Sequence, residues 1–294
     1  MQISANGIAL EVEDHGPTNG EPLLLVMGLG MQLVAWHPDF VAMLVARGFR
    51  VIRFDNRDIG LSQRFDHLGV PNLAIDSIKY AVGLKVNAPY TVATMADDTA
   101  ALLDALGIRS AHICGASMGG MIAQQLAVRH RERVKSLTLI MTSSGSRRLP
   151  GPSLKVRSAL ISRPADPKNL QSVIEHYVKL YKLIGSPGYP ADDAYLHQRL
   201  GESVRRSHRP QGTARQMVAI AADGNRSPLL AQLEVPTQVI HGQADPLVPV
   251  AAGHDLAARI AGAELDIIPG MGHDLPLPLW PRFIAGIAGA AARA

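Results

Sequence analysis

The sequence predicts an α/β protein whose mostly parallel sheet carries helices on both faces and accepts one helical insertion. Three observations predict this fold class. Strand and helix patterns alternate with short connections, as in a doubly wound sheet. The alternation breaks after residue 145 and returns near residue 235. Apolar residues make up 47% of the 294 residues, enough to bury a full core. We therefore predict a core formed by 1–145 and 227–294 and a helical cap formed by 146–226.

The first strands and the first helix follow from hydrophobic periodicity. Residues 8–13 alternate as a half-buried strand does, and the apolar runs at 23–27 and 49–54 are typical of strands buried on both faces. The apolar positions of 38–47 recur at helical spacing, so a helix is predicted there. Residues 63–91, which contain two prolines, are predicted to be irregular.

The pattern continues through the middle of the chain. A helix is predicted to begin at Thr94, which can cap it, with Asp97 at the reciprocal position of a capping box, and to end near residue 106. A short strand at 111–114 precedes a glycine-rich turn and a helix that reaches about residue 130. Another buried strand is predicted at 134–141.

The insertion interrupts this alternation. Residues 146–226 are polar, interrupted by prolines and helical in pattern, and contain no strong strand signal. The alternation then resumes with a strand at 237–241, a helix at 250–259 and a strand at 264–268, followed by a helix at 279–291. The strands on both sides of the insertion are therefore expected to join one sheet.

The turn after the strand at 111–114 reads Gly115-Ala116-Ser117-Met118-Gly119, a Gly-x-Ser-x-Gly pattern. A serine on a tight turn between a strand and a helix is typical of a nucleophile elbow, in which the hydroxyl projects from the sheet edge. The helix dipole beneath the serine favours developing negative charge. The pentapeptide alone equally fits a helix start with Ser117 as its N-cap. The catalytic interpretation therefore depends on partners elsewhere in the chain.

A serine nucleophile needs a general base and a carboxylate that orients the base. In a parallel sheet such groups are expected on loops after the carboxyl ends of strands. Asp245 follows the strand at 237–241, and His273 follows the last strand. The chain order serine, aspartate, histidine is the one expected around a nucleophile elbow. We predict Ser117, Asp245 and His273 as a catalytic triad.

Two other aspartates compete with Asp245 for the orienting role. Asp274 adjoins His273, and adjacent side chains seldom face each other. Asp55 follows the strand at 49–54 and is predicted to fix its own loop by pairing with Arg57.

A tetrahedral intermediate needs two N–H donors aimed at its oxyanion. The N–H of Met118, directly after the serine, is predicted as one donor. The N–H of Leu29 is predicted as the other, because Gly28 and Gly30 let that backbone come close. The pair Gly28 and Gly30 also fits an ordinary strand-to-helix turn. It does not fit dinucleotide binding, because the full Gly-x-Gly-x-x-Gly is absent.

Charge and composition restrict the other function classes. The net charge is +4, but 146–226 holds 14 Lys and Arg against 6 Asp and Glu, a net of +8. We interpret these basic residues as solvated helix faces, because no nucleic-acid-binding signature accompanies them. No membrane span, no signal peptide and no zinc spacing is found, and Cys114 is the single cysteine. We expect a cytoplasmic protein without metal or organic cofactor and without nucleic-acid or membrane partners.

The motifs together resemble the α/β-hydrolase family over nearly the whole chain. The matching segments are 26–30, 54–62, 115–120, 242–249 and 269–273. Within the family, the chain resembles the subgroup that contains aclacinomycin methylesterase and related small bacterial esterases. Met27 stands where many members have His, and Asp58 where many have Gly. The resemblance implies an eight-stranded, mostly parallel sheet. Because position 117 is serine, it does not imply a haloalkane dehalogenase or an epoxide hydrolase.

We expect a serine hydrolase of carboxylic esters that acts as a monomer or homodimer on a small-molecule ester. The same triad also serves lactone hydrolysis, C–C bond hydrolysis of a diketone and cofactor-free perhydrolysis. A ligand receptor with little turnover is an alternative from another class. The discriminating residues lie in the insertion and beside Trp36 and Met118.

The substrate pocket is predicted to be aliphatic, because the chain has only 5 Phe, 2 Trp and 6 Tyr. Trp36 and Met118 are expected to crowd the acyl side and to favour short acyl chains without interfacial activation. The predicted pocket residues are Gly28, Trp36, Tyr177, Tyr181 and Val248. Further apolar residues of the insertion are expected to line the mouth, namely Leu160, Ile161, Val173 and Leu180.

Overall fold

The computed structural model describes all residues, 1–294, and contains one eight-stranded sheet with eleven helices. The strands are β1 (Gln2–Ala5), β2 (Ile8–His15), β3 (Glu21–Val26), β4 (Phe49–Phe54), β5 (Ala111–Ala116), β6 (Val134–Ile140), β7 (Thr237–Gly242) and β8 (Glu264–Ile268). The helices are α1 (Pro38–Val45), α2 (Leu73–Ala81), α3 (Val92–Ala105), α4 (Met118–Arg129), α5 (Leu154–Leu160), α6 (Leu170–Ile184), α7 (Asp193–Arg206), α8 (Pro210–Asp223), α9 (Ser227–Leu230), α10 (Ala251–Arg259) and α11 (Trp280–Ala292).

The sheet order is β1-β2-β4-β3-β5-β6-β7-β8, and all neighbouring pairs from β4 to β8 are parallel. The pairs β1–β2 and β2–β4 are antiparallel, so β2 alone runs against the other strands. The predicted α/β fold class is therefore confirmed. The chain reverses its direction of travel across the sheet between β3 and β5. In open α/β sheets such a switch point opens a crevice at the carboxyl ends of the strands.

The sheet separates two apolar layers. The larger layer packs α3, α4 and α10 against one face, and the smaller packs α1 and α11 against the other. The central strands are buried on both faces, which explains their continuous apolar runs. Burial of both faces fixes these strands firmly and so fixes the loops at their carboxyl ends.

Residues 146–226, called the insertion below, hold α5 to α8 and no strand. Its helix α6 packs on α7 through a small apolar cluster that includes Ile174, Val178 and Leu196. The insertion connects β6 to β7, which pair directly in the sheet. Its description as a separate cap domain stays a prediction.

Three local predictions need correction. The amino-terminal strand β1 was not predicted, and it lies at the sheet edge beside β2. Within the supposedly irregular 63–91, α2 begins after Asn72, whose side chain caps the helix. Helix α3 starts one turn early: Thr91 is its N-cap and Thr94 the reciprocal residue, so Asp97 plays no part in the capping box. Two threonines at capping-box spacing compete for the same role, and the sequence alone does not choose between them.

Candidate active site

Ser117 is the turn residue between β5 and α4. Its φ of 55° and ψ of −120° lie where L-residues are rarely found. Its N–H donates to Ile140 O at 2.9 Å, and its carbonyl accepts from Thr142 Oγ1 at 2.7 Å. A Cβ on Gly119 would lie 2.0 Å from Val26 O, so the helix start packs against β3 at a distance that only glycine allows. Strand β6 and the glycine contact together hold the strained turn.

Ser117, His273 and Asp245 form a continuous hydrogen-bonded series. The Ser117 Oγ lies 2.9 Å from His273 Nε2, and His273 Nδ1 lies 2.7 Å from Asp245 Oδ2. The Asp245 Oδ1 accepts the N–H groups of Leu247 and Val248 at 2.9 and 2.8 Å. The Asp245 carboxylate is fully buried, and Ser117 is partly exposed. The loop after β7 thus holds the Asp245 side chain in the orientation that the imidazole requires.

A second histidine, His241, lies behind Asp245 and was not predicted. Its Nε2 donates to Val248 O at 2.7 Å and lies 3.7 Å from Asp245 Oδ2. Burial lowers the pKa of His241, so the ring is held neutral against the core. His241 therefore supports the loop that carries Asp245 and, as a neutral ring, does not form an ion pair with the Asp245 side chain. It sits at the end of β7, and only its nearness to Asp245 in sequence could have indicated this role.

The insertion holds the loop that carries His273. The His273 N–H donates to Ile184 O at 2.7 Å, and Gly272 N–H donates to Ser186 Oγ at 2.8 Å. The Ser186 hydroxyl in turn donates to Asp274. Burial raises the pKa of Asp274, which faces Ser186 rather than the imidazole. The preference for Asp245 over Asp274 thus agrees with the geometry.

The loop after β3 lies against Ser117 from the other side. A Cβ on Gly28 would lie 3.0 Å from Ser117 Cβ, so glycine allows this close approach. The N–H of Leu29 donates to no protein acceptor, and the N–H of Met118, the first of its helix, has no intrahelical acceptor. Asn56 Nδ2 donates to Met27 O at 2.9 Å and fixes the start of the loop. Two unpaired N–H groups therefore flank the serine.

Asp55 fixes the end of the same loop, but not by the predicted pairing. Its carboxylate accepts the N–H groups of Leu33 at 2.6 Å and Leu61 at 2.8 Å and the guanidinium of Arg206 at 2.7 Å. The predicted pair of Asp55 with Arg57 is wrong. Arg57 instead makes two hydrogen bonds to Asp98 of α3, at 2.5 and 2.6 Å, because its side chain points away from the loop.

Two basic residues of the insertion, Arg215 and Arg226, are buried and a third, Arg206, is partly buried, so these three are not solvated helix faces as predicted. Arg206 reaches Asp55, as described, and Arg215 makes a bidentate pair with Asp58 at 2.6 and 2.7 Å. Arg226 is also buried and pairs with Asp223. Part of the positive surplus of the insertion therefore compensates buried carboxylates of the core.

The predicted pocket residues fall into two groups. Gly28 adjoins Ser117, and Tyr177 and Tyr181 of α6 are partly buried; burial raises the pKa of both phenols. Val248 contributes backbone groups to Asp245 and His241 and is partly exposed. Trp36, in contrast, is 0% exposed.

Trp36 does not line an accessible cavity, so its predicted pocket role is wrong. Its ring stacks on Phe40 with centroids 5.7 Å apart inside the smaller apolar layer. The Met118 side chain is also fully buried, in the larger layer, so neither side chain crowds an acyl group. Of the expected mouth residues, Val173 is buried, Leu160 and Leu180 are partly buried and Ile161 is exposed.

Other features of the molecule lie away from Ser117. A depression of about 380 Å³ beside Glu21, His112 and Lys135 lies at the amino ends of β3, β5 and β6, opposite the carboxyl ends that carry the triad. No group of three or more His, Cys, Asp or Glu side chains is arranged to hold a metal ion. None of the helices combines the length and apolar content that a membrane crossing requires.

Comparison with known proteins gives consistent results. Residues 21–277 match the family described as the alpha/beta hydrolase fold. The chain is 29% identical to rhodomycin D methylesterase DauP of Streptomyces sp. (strain C5), over 97% of this chain and 95% of the relative. It is 30% identical to the putative carbamate hydrolase RutD of Variovorax paradoxus (strain S110), over 90% and 89%. The solved enol-lactonase from Burkholderia xenovorans LB400 superposes with a TM-score of 0.76 at 24% identity, over 99% of this chain and all of that one.

Proposed function

Because this chain belongs to the α/β-hydrolase fold family, we propose that it is a serine hydrolase that cleaves carboxylic esters through an acyl-enzyme. The observation that carries the proposal is the series of hydrogen bonds from Ser117 through His273 to Asp245, at 2.9 and 2.7 Å. This series supports the proposal because acyl transfer by a serine requires a nucleophile, a general base and an orienting carboxylate.

The first half of the reaction forms the acyl-enzyme. Ser117 Oγ attacks the acyl carbon while its proton passes to His273 Nε2. Asp245 stabilises the imidazolium through Nδ1. The oxyanion accepts the N–H groups of Leu29 and Met118, which have no competing acceptor in the protein. His273 then gives the proton to the departing alcohol oxygen.

The second half of the reaction hydrolyses the acyl-enzyme and regenerates the free enzyme. A water molecule takes the place of the alcohol, and His273 removes a proton from it as its oxygen attacks the acyl carbon. His273 then returns that proton to Ser117 Oγ as the bond from Ser117 to the acyl group breaks, which releases the acid. The proposal requires no metal ion and no organic cofactor. The monomer or dimer state and the cytoplasmic location stay predictions from the sequence.

The proposed substrates are esters with a short acyl chain or a small alcohol. The relative DauP is named a methylesterase, which favours the small-alcohol choice. The crowding by Trp36 no longer supports the short-acyl choice, because Trp36 lies in the core. Tyr177 and Tyr181 of α6 and the backbone at Gly28 are the proposed contacts for the substrate.

A substrate panel tests the proposal. It contains methyl esters of large acids, p-nitrophenyl esters of acetate to long acyl chains, small lactones and a diketone. Preferential hydrolysis of the methyl or short-acyl esters supports the proposal. Turnover of lactones or diketones alone would retain the triad but overturn the esterase function. Tight binding without turnover would indicate a receptor.

A further inference from the structure

Gln216 connects the insertion to the loop that flanks Ser117. It lies on α8 with 0% of its surface exposed. Its Oε1 accepts the Gly30 N–H at 2.9 Å, and its Nε2 donates to Arg57 O at 2.9 Å. One buried amide thus satisfies a donor of the β3 loop and an acceptor of the β4 loop at the same time.

The Gly30 contact reaches the loop at a point that favours glycine. Gly30 has a φ of +68°, and a Cβ there would lie 2.9 Å from two side-chain atoms of Thr213, one turn before Gln216 on α8. Asn56 already holds the loop at Met27, and Asp55 holds it at Leu33. Between those two ends, Gln216 supports the loop at Gly30, next to the N–H of Leu29. Further along the loop, the Gln32 side chain binds Ser203, Ser207 and Arg206 of the insertion.

The position of Gln216 is itself fixed. The neighbouring Arg215 makes its bidentate pair with Asp58, and a Cβ on Gly212 would lie 2.2 Å from Asp58 O, so α8 packs directly on that backbone. A buried glutamine on a rigidly docked helix has little freedom to follow a shift of the loop. The amide can therefore impose a position on the Gly30 peptide.

We propose that Gln216 is a positioning residue, supplied by the insertion, that holds the Leu29 N–H in the orientation needed to bind the oxyanion of the transition state. The proposal rests on the serine hydrolase function proposed above. Gln216 touches neither the substrate nor the reacting atoms. Its loss should leave substrate binding intact and weaken the hydrogen bond to the oxyanion, because that bond is strongest in the transition state.

The test compares two glutamines that join the core to the same helix. Gln216→Met removes both hydrogen bonds of the amide at nearly constant volume. Gln125→Met is the control, because Gln125 Nε2 donates to Asp223 Oδ1 at 2.8 Å, at the far end of α8 and away from the β3 loop. Rates are expressed per active site, counted with a fluorophosphonate probe, so that misfolded protein does not contribute.

Gln216→Met is expected to lower kcat about tenfold with KM changed less than about threefold, since complete removal of an oxyanion donor costs about 100- to 1000-fold. Its affinity for an alkyl boronic acid, which mimics the tetrahedral intermediate, should fall by a similar factor. Gln125→Met should match the wild type in kcat, KM and boronate affinity.

Wild-type kcat and boronate affinity in Gln216→Met would overturn the inference, and so would equal losses in both variants, which would show that α8 is only a tether. These outcomes leave the proposed function intact as long as the wild type hydrolyses esters and is labelled. If Gln216→Met does not fold, Gln216→Glu replaces it. Its protonated acid mimics the amide, so its kcat relative to wild type should fall as the pH rises and the carboxylate faces Arg57 O; a constant ratio near one would contradict the inference.

Discussion

The turn that carries Ser117 and the loop beside it are held by very different parts of the chain. The elbow is held by its immediate neighbours: β6 accepts the Ser117 N–H, and Gly119 packs against β3. The loop from Met27 to Leu33 is held by Asn56 and Asp55 of the core and by contacts of the insertion, from Gln216 to Gly30 and from Ser203, Ser207 and Arg206 to Gln32. The nucleophile is therefore positioned by strands of the sheet, whereas the loop beside it also depends on residues of the insertion up to 186 positions distant.

This difference predicts different effects of substitution in the two regions. The strained turn is bonded to strands of the sheet, so its position follows the position of the sheet. The loop beside it is bonded to helices of the insertion, so its position depends on how these helices pack on the core. Substitutions at the elbow and triad should therefore nearly abolish kcat, whereas substitutions in the insertion should lower kcat only partly.

The largest expected effect is that of Ser117→Ala. We expect kcat to fall about a thousandfold or more, because removal of the nucleophile leaves only binding and oxyanion contacts. The melting temperature should change little, since the Ser117 side chain is partly exposed and the backbone bonds remain. Ester hydrolysis near the wild-type rate would show that the elbow is not the catalytic region.

Asp245→Asn is expected to follow, with a kcat lowered by about a hundred- to ten-thousandfold, as when the orienting carboxylate of a serine triad is replaced. The amide leaves the imidazole of His273 in the wrong tautomer. Asp266→Asn is the matched control, because Asp266 only pairs with Arg282 at the surface. A comparable loss of activity in both variants would contradict the assignment of Asp245.

Gly119→Ala tests how tightly the elbow is packed. A Cβ would lie 2.0 Å from Val26 O, and backbone atoms cannot yield as a side chain does. We expect the free energy of unfolding to fall by about 3 kcal/mol, the upper end of typical overpacking costs. Gly289→Ala, with nothing within 4 Å, should stabilise the chain by about 0.5–1 kcal/mol in urea denaturation. Equal stabilities for the two variants would mean that the elbow is loosely packed.

The smallest expected effect concerns Asp274, which connects the His273 loop to Ser186. Burial raises its pKa in the folded state, so the folded chain binds that proton more tightly than the unfolded chain. Stability should consequently fall as the pH rises from the ordinary carboxyl pKa through the raised one. Asp274→Asn should lack this fall. Identical pH dependences of the free energy of unfolding, measured between about pH 3 and 8, would contradict the shift.

The sequence predicted the half of this comparison that the sheet determines. The order of Ser117, Asp245 and His273 after successive strands was enough to expect the three side chains together, and they lie within hydrogen-bond distance. The parallel sheet followed from periodicity, because burial on both faces leaves a continuous apolar run. Gly115 could be recognised because its constraint lies within the pentapeptide, where a Cβ would lie 2.3 Å from Gly119 O, whereas Gly119 is constrained by Val26 of β3.

The other half depends on contacts that have no local signature. Gln216 and Arg206 lie on polar helices, where nothing distinguishes them from solvated residues such as Gln198. Trp36 was misplaced because nearness to the β3 loop in sequence does not determine which layer a side chain enters. Contacts between segments that are far apart in the chain determine these positions, and no local sequence pattern indicates them.

Labelling with a fluorophosphonate tests the central claim most directly. The probe phosphonylates an activated serine and releases fluoride, and peptide mapping then locates the adduct. The account predicts one adduct per chain, on the peptide that contains Ser117, with parallel loss of ester hydrolysis and no adduct in Ser117→Ala. An adduct on another residue, or full hydrolytic activity after complete labelling of Ser117, would contradict it.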